Sequence, residues 1–120
     1  MATCQFTFDD GRIEIIAGPG AIGRNPAIAG AKIVIHDPSV SKTHLEFGLD
    51  EGRPWIMERG STNGSSLRRG HDAAVPLPKG ERRYVLPGDV VSIGSRQFSV
   101  SVAGPTPPTS AAPVGVAGRG

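Results

Sequence analysis

Cysteine is almost absent: Cys4 is the only one in 120 residues. A single thiol forms no internal disulfide framework and supplies no cysteine-based zinc site. Aromatic residues are scarce at 5%, which argues against a stacking platform for single-stranded nucleic acid. Charge of one sign is also lacking. The net charge of +2 leans towards anionic partners but falls far short of a nucleic-acid-binding patch. No run of about 18 apolar residues occurs and the N-terminus has no secretory pattern. The chain therefore reads as a cytoplasmic module without direct membrane contact, or as one on the cytoplasmic face if its parent protein is anchored. No helix-length window repeats at 3.6 residues. The histidines His36, His44 and His71 lack metal-ligand spacing, and Gly18-Pro19-Gly20 lacks the lysine and following helix of a nucleotide loop. No metal and no cofactor is expected.

Glycine and proline, in contrast, are plentiful, with 17 and 11 copies, which favours turns over long helices. The apolar residues, 38% of the chain, gather into short segments, and a chain of this size buries roughly two-thirds of its unfolded surface. Cys4, Phe6 and Phe8 alternate with Gln5 and Thr7, while Phe98, Val100 and Val102 alternate with Gln97, Ser99 and Ser101. That is the two-residue period of a half-buried strand, and Cys4 on such a strand reads as an inert core thiol. Further strand candidates are 12–16, 21–23, 32–35, 44–49, 54–58, 65–68, 83–86 and 90–93. Turn signals such as Asp10-Gly11, Asp37-Pro38, Asn63-Gly64 and Pro87-Gly88 separate them. Around ten short strands spaced about 8–12 residues apart is the pattern of an antiparallel sandwich or barrel, so the fold class is all-β. The alternation stops at Val102. Residues 103–120 hold four prolines, four glycines and one charge, Arg119, and cannot bury enough apolar surface to offset ordering. The chain thus divides into a folded domain, 1–102, and a Pro/Gly/Ala-rich flexible tail or linker, 103–120.

Three polar stations interrupt the apolar segments: Gly23-Arg24-Asn25, Ser41-Lys42-Thr43-His44, and Gly60-Ser61-Thr62-Asn63-Gly64-Ser65. Loops at one end of a β structure would pool their guanidinium, ammonium, hydroxyls, amide and glycine-opened backbone. That set suits a phosphate. Each station also has a plainer reading: a solvated arginine, a polar turn before the strand Leu45–Leu49, and an Asn-Gly hairpin turn. Simple alternation puts His44 on the face opposite Leu45, Phe47 and Leu49. Pairing Ser41 with His44 as nucleophile and base is disfavoured, because no acid is placed to orient the histidine and no Gly-x-Ser-x-Gly elbow is present.

The order Gly-Arg, then Ser-x-x-His, then Ser-x-Asn-Gly resembles the forkhead-associated (FHA) domain family. The resemblance runs from about Phe6 to Val102. It takes in Ile22-Gly23-Arg24, Ile33-Val34-Ile35 with Asp37, Val40-Ser41-Lys42 with His44, Arg59 to Gly64, and Gly88-Asp89 with Val91, Ile93 and Gly94. It implies an eleven-stranded antiparallel β sandwich of the SMAD/FHA-like type, non-enzymatic and monomeric, that binds a phosphothreonine-containing protein or peptide. Carried over position by position, it implies that Arg24 and Ser41 bind the phosphate directly, with Lys42 nearby. Thr62 would help bind phosphate or wall the γ-methyl pocket, and Asn63 would hold the peptide main chain. Ser39 resembles the position that reads the third residue after phosphothreonine, while Gly23, His44 and Gly64 are architectural. The chain departs from the family pattern in the small apolar stretch 27–31 and in the long segment 69–83, which carries Pro76 and Pro78.

Two rivals accompany this reading. One is phosphate-independent protein binding through the sheet face or an edge strand. The other is a small barrel for single-stranded nucleic acid, which core-facing Phe6, Phe8, Phe47 and Phe98 disfavour. Thr106 and Thr109, once phosphorylated, would offer ligands to a neighbouring copy, although proline-flanked threonines in such a tail usually belong to plain linker.

Overall fold

A computed structural model describes residues 3–103, and these contain strands and turns alone. In chain order the strands are β1 (Thr3–Phe8), β2 (Ile13–Ile16), β3 (Gly20–Gly23), β4 (Ala31–Val34), β5 (Leu45–Asp50), β6 (Arg53–Glu58), β7 (Ser65–Arg68), β8 (Val75–Pro76), β9 (Arg82–Tyr84), β10 (Val90–Ile93) and β11 (Arg96–Ala103). They build two sheets, of order β2-β1-β11-β10-β7-β8 and β4-β3-β5-β6-β9.

Alternation decides which side chains lie between the sheets. Phe6, Phe8, Phe98 and Val100 point inward from the first sheet and Ile22, Leu45, Phe47 and Ile56 from the second, all buried. Phe6 meets Phe47 edge-on across the interface at 5.8 Å and packs on Phe98 at 4.4 Å. Each such buried ring contributes about 2–3 kcal/mol of apolar transfer. Cys4 is buried in the same layer, and burial pushes its thiol up to about 11, with a backbone bond opposing only in part.

Four features differ from the pattern read in the sequence. The β3–β4 ladder is parallel, so the second sheet is mixed. Residues 24–30 carry the chain back to the far end, where the Ala31 N–H bonds the Pro19 carbonyl at 3.1 Å. Side-chain alternation carries no information about strand direction. Val75–Pro76 adds an edge strand against β7, too short to show a period. The 83–86 candidate begins one residue earlier and ends at Tyr84. His44 precedes β5 and is fully buried beneath the loops, so the strand rule does not govern its direction. The tail, with Thr106 and Thr109, lies outside the described residues.

The consequence for the site is positional. β3 and β4 run parallel, so both end at one rim, where the 35–44 and 59–64 connections and the Gly94-Ser95 hairpin also lie. Gly94 takes φ +62, as the first residue of a two-residue hairpin of the II′ type requires.

Candidate functional site

Backbone bonds stitch the three stations into one surface. The Arg24 N–H donates to the Ser41 carbonyl at 3.0 Å and the Asn25 N–H to the Lys42 carbonyl at 3.1 Å. This approach needs a glycine beforehand: a methyl on Gly23 would sit 1.9 Å from the Lys42 carbonyl oxygen. Thr43, part of the second station but given no role of its own there, adds a tie by accepting the Ala27 N–H on its hydroxyl at 3.0 Å. From the third station, the Thr62 N–H donates to Ser41 Oγ at 3.0 Å, and Asn63 Nδ2 donates to the Ser39 carbonyl at 2.8 Å. Arg24, Ser39, Ser41, Lys42, Thr62 and Asn63 therefore share one rim.

His44 holds this rim from below. The Ser41 N–H donates to its Nδ1 at 3.0 Å, so that nitrogen carries no proton; Nε2 then donates to the Gly64 carbonyl at 2.9 Å. With the ring buried and both nitrogens engaged by main chain, His44 does not serve as a base for the Ser41 hydroxyl. Gly64 completes the turn at φ +77.

A second support escaped the sequence reading. Glu58 is only 3% exposed, yet its carboxylate accepts the Ser61 N–H at 2.5 Å, the Ser61 hydroxyl at 2.8 Å and the Ser65 hydroxyl at 2.5 Å. His44 Nε2 lies 3.9 Å away. Burial pushes this carboxyl up, but the Ser65 and Ser61 bonds outweigh burial and hold it below its ordinary value. The signal was present: in β6, Glu58 shares the inward parity of Pro54 and Ile56, so a carboxylate sits where an apolar residue belongs. Among other groups at the rim, Ser39 donates its hydroxyl to Asp37 at 2.6 Å and accepts the Ser95 N–H at 2.9 Å. That hydroxyl is spent on joining two loops. The Ser39 hydroxyl, together with the Ser39 N–H that donates to the same carboxylate at 2.8 Å, lowers the Asp37 carboxyl.

The outward-facing chemistry is cationic and hydroxylic. Among the described residues the Arg24 guanidinium bonds only through Nε, to the Val40 carbonyl at 2.5 Å, leaving its terminal nitrogens available. The Ser41 oxygen accepts from Thr62, so its own hydrogen is free to donate outward. Lys42, Thr62 and Asn63 are exposed. Among the described residues no three His, Cys, Asp or Glu side chains gather as a metal site, and no helix is long and apolar enough to cross a membrane.

The architecture is similar to solved FHA domains. One comes from work on phosphothreonine-dependent FHA domain interactions: it is 25% identical, with a TM-score of 0.65, over 89% of this chain and 99% of that one. The FhaA FHA domain, solved with the intracellular domain of Rv3910, is 28% identical, with a TM-score of 0.62, over 83% and 99%. The FHA domain of human APLF, solved with an XRCC1 bisphospho peptide, is 24% identical, with a TM-score of 0.68, over 82% and 97%; at that identity the likeness concerns the fold. Among curated proteins none matches. The FHA domain family model matches residues 20–94. With more than half of its length covered by that model and its two sheets shared with those structures, this chain belongs to the FHA domain family.

Proposed function

We propose that the rim is a phosphothreonine-binding site and that the chain is a non-enzymatic docking module acting downstream of Ser/Thr kinases. The observation that carries this reading is the convergence of the Arg24 guanidinium and the Ser41 hydroxyl, fixed by main-chain bonds from two other loops. A phosphothreonine carries about −1.5 to −2 charges and three acceptor oxygens. Arg24 takes the oxygens with its terminal nitrogens, Ser41 with its hydroxyl, and Lys42 adds a nearby positive charge. Thr62 contacts the phosphate or the threonine methyl, and Asn63, with an exposed amide oxygen, holds the partner's main chain. The Ser39 hydroxyl, already bonded twice within the protein, supports the loops more than it reads the peptide.

Each charge-assisted bond contributes about 1.5–3 kcal/mol. Two or three of them, offset by association entropy, give roughly micromolar affinity. The relative linked to phosphothreonine-dependent interactions supports the assignment. Monomeric operation accords with a site complete within one chain.

Calorimetry on one peptide with and without its phosphate tests the reading. Arg24→Ala weakens the phosphorylated peptide at least about 30-fold, the loss of some 2 kcal/mol, while the domain stays folded and its melting temperature falls only by the few degrees that the lost bond to the Val40 carbonyl costs. Undiminished affinity in that variant would count against the site. A second reading, phosphate-independent docking at the β2 edge, draws on Ile13 and Ile15, each 55% exposed. Equal affinities for the two peptide forms would favour it.

A further inference from the structure

The chain holds two asparagines, and the residue after each separates them chemically. Asn25 precedes Pro26, whose nitrogen carries no hydrogen. Asn63 precedes Gly64, whose N–H is intact and unshielded by any side chain. Asn63 is exposed on the rim, and a Cβ built on Gly64 would meet nothing within 4 Å. Solvent therefore reaches this turn.

We propose that Asn63-Gly64 is a self-modification site, at which the main chain converts the asparagine amide into a carboxylate. Hydroxide removes the Gly64 amide proton, and the nitrogen attacks Asn63 Cγ. The N–Cγ bond forms, the Cγ–Nδ2 bond breaks, and Nδ2 leaves as ammonia with its third hydrogen drawn from water. Water then opens the succinimide ring at either carbonyl, giving aspartate or isoaspartate. The sum is asparagine plus water to aspartate plus ammonia, with nothing oxidised or reduced. Gln5 and Gln97 would have to close a larger, slower ring.

The fold restrains the rate, because two bonds tether the reacting groups. The Gly64 N–H donates to Ser61 Oγ at 3.0 Å, and Asn63 Nδ2 donates to the Ser39 carbonyl at 2.8 Å. Ser61 is fixed in turn by Glu58, which accepts its hydroxyl at 2.8 Å. A hydroxyl is too weak a base to take an amide proton, so Ser61 holds the nitrogen without activating it. The product fits the rim poorly. A carboxylate has no hydrogen to give the Ser39 carbonyl. It also brings negative charge one residue from Thr62, whose N–H bonds Ser41 Oγ. Isoaspartate further routes the main chain through the former side chain and lengthens the turn. Conversion therefore ends docking, a consequence that rests on the phosphothreonine reading.

The test keeps the full chain at neutral and at alkaline pH and maps it by mass spectrometry. Acid in place of amide is expected at Asn63 and not at Asn25, faster at alkaline pH, and at least about fivefold slower than in the urea-unfolded chain. Ser61→Ala should convert about fivefold faster than the wild type. If that variant does not fold, the folded and unfolded wild type read the same restraint. Native protein that keeps Asn63 intact while a Ser-Thr-Asn-Gly-Ser peptide converts completely overturns the site. Folded protein that converts as fast as the unfolded chain, or a Ser61→Ala rate that is unchanged or lower, overturns the restraint. Converted protein, separated by its extra negative charge, and the variant Asn63→Asp are then titrated with a phosphothreonine peptide. A loss of at least about tenfold is expected, and equal affinity overturns the link to docking. Starting protein that ignores the phosphate overturns the docking reading alone and leaves the chemistry standing.

Discussion

Replacing Glu58 by glutamine keeps the shape of the side chain and removes its charge. The structure sets the consequence. Oε2 accepts the Ser61 N–H, while Oε1 accepts the Ser61 and Ser65 hydroxyls. An amide NH2 placed at Oε2 confronts the Ser61 N–H, donor against donor. Placed at Oε1, it forces both hydroxyls to turn round and accept. Either orientation weakens at least one charge-assisted bond and strands a buried polar group, each costing about 1–3 kcal/mol. The expected loss is about 2–3 kcal/mol, or roughly 8–24 °C in melting temperature for a domain of this size. The sign with pH follows from the lowered carboxyl. Its contribution is complete above the ordinary glutamate value of 4.5 and is lost as pH falls through the depressed folded value. Melting curves from pH 7 down to pH 3 should therefore show the wild type losing its advantage over Glu58→Gln as acidity rises. Two curves that superimpose at pH 7, or a gap that stays constant to pH 3, would refute this account of the buried carboxylate.

Two further outcomes follow from packing. Gly23→Ala drives its methyl into the Lys42 carbonyl 1.9 Å away, so circular dichroism should show a domain destabilised by several kcal/mol or unable to fold. Cys4, buried and with its thiol pushed up to about 11, should resist a thiol reagent at pH 8 and react at the rate of unfolding; immediate labelling of native protein would contradict its burial.

Much of the fold was legible because β1 and β11 repeat at two residues with phenylalanines on one side. Those phenylalanines do form the contact between the sheets. The site residues were legible as types in a fixed order, and three stations separated by as many as 39 positions, from Arg24 to Asn63, do meet at one rim. Their meeting was not derivable from spacing, since it depends on residues 24–30 returning along the sheet so that β4 can end beside β3. Short edges such as Val75–Pro76 carry too few residues to display a period. The Glu58 anchor was readable in parity but disguised by its type, because a glutamate at a strand end usually faces water. Ser39 illustrates the opposite limit: nothing local in the sequence announces that its hydroxyl is claimed by Ser95, 56 residues away.

The course of β11 has a mechanical consequence. It starts at Arg96, beside the Gly94-Ser95 hairpin, and its final residue, Ala103, pairs with Thr3. Eight residues of strand put that pair about 25 Å from the ligand pole. Chain entering before Thr3 and chain leaving after Ala103 thus attach at the antipode, so any cargo tethered at either end pulls along the long strands and leaves the loops of the rim unshadowed.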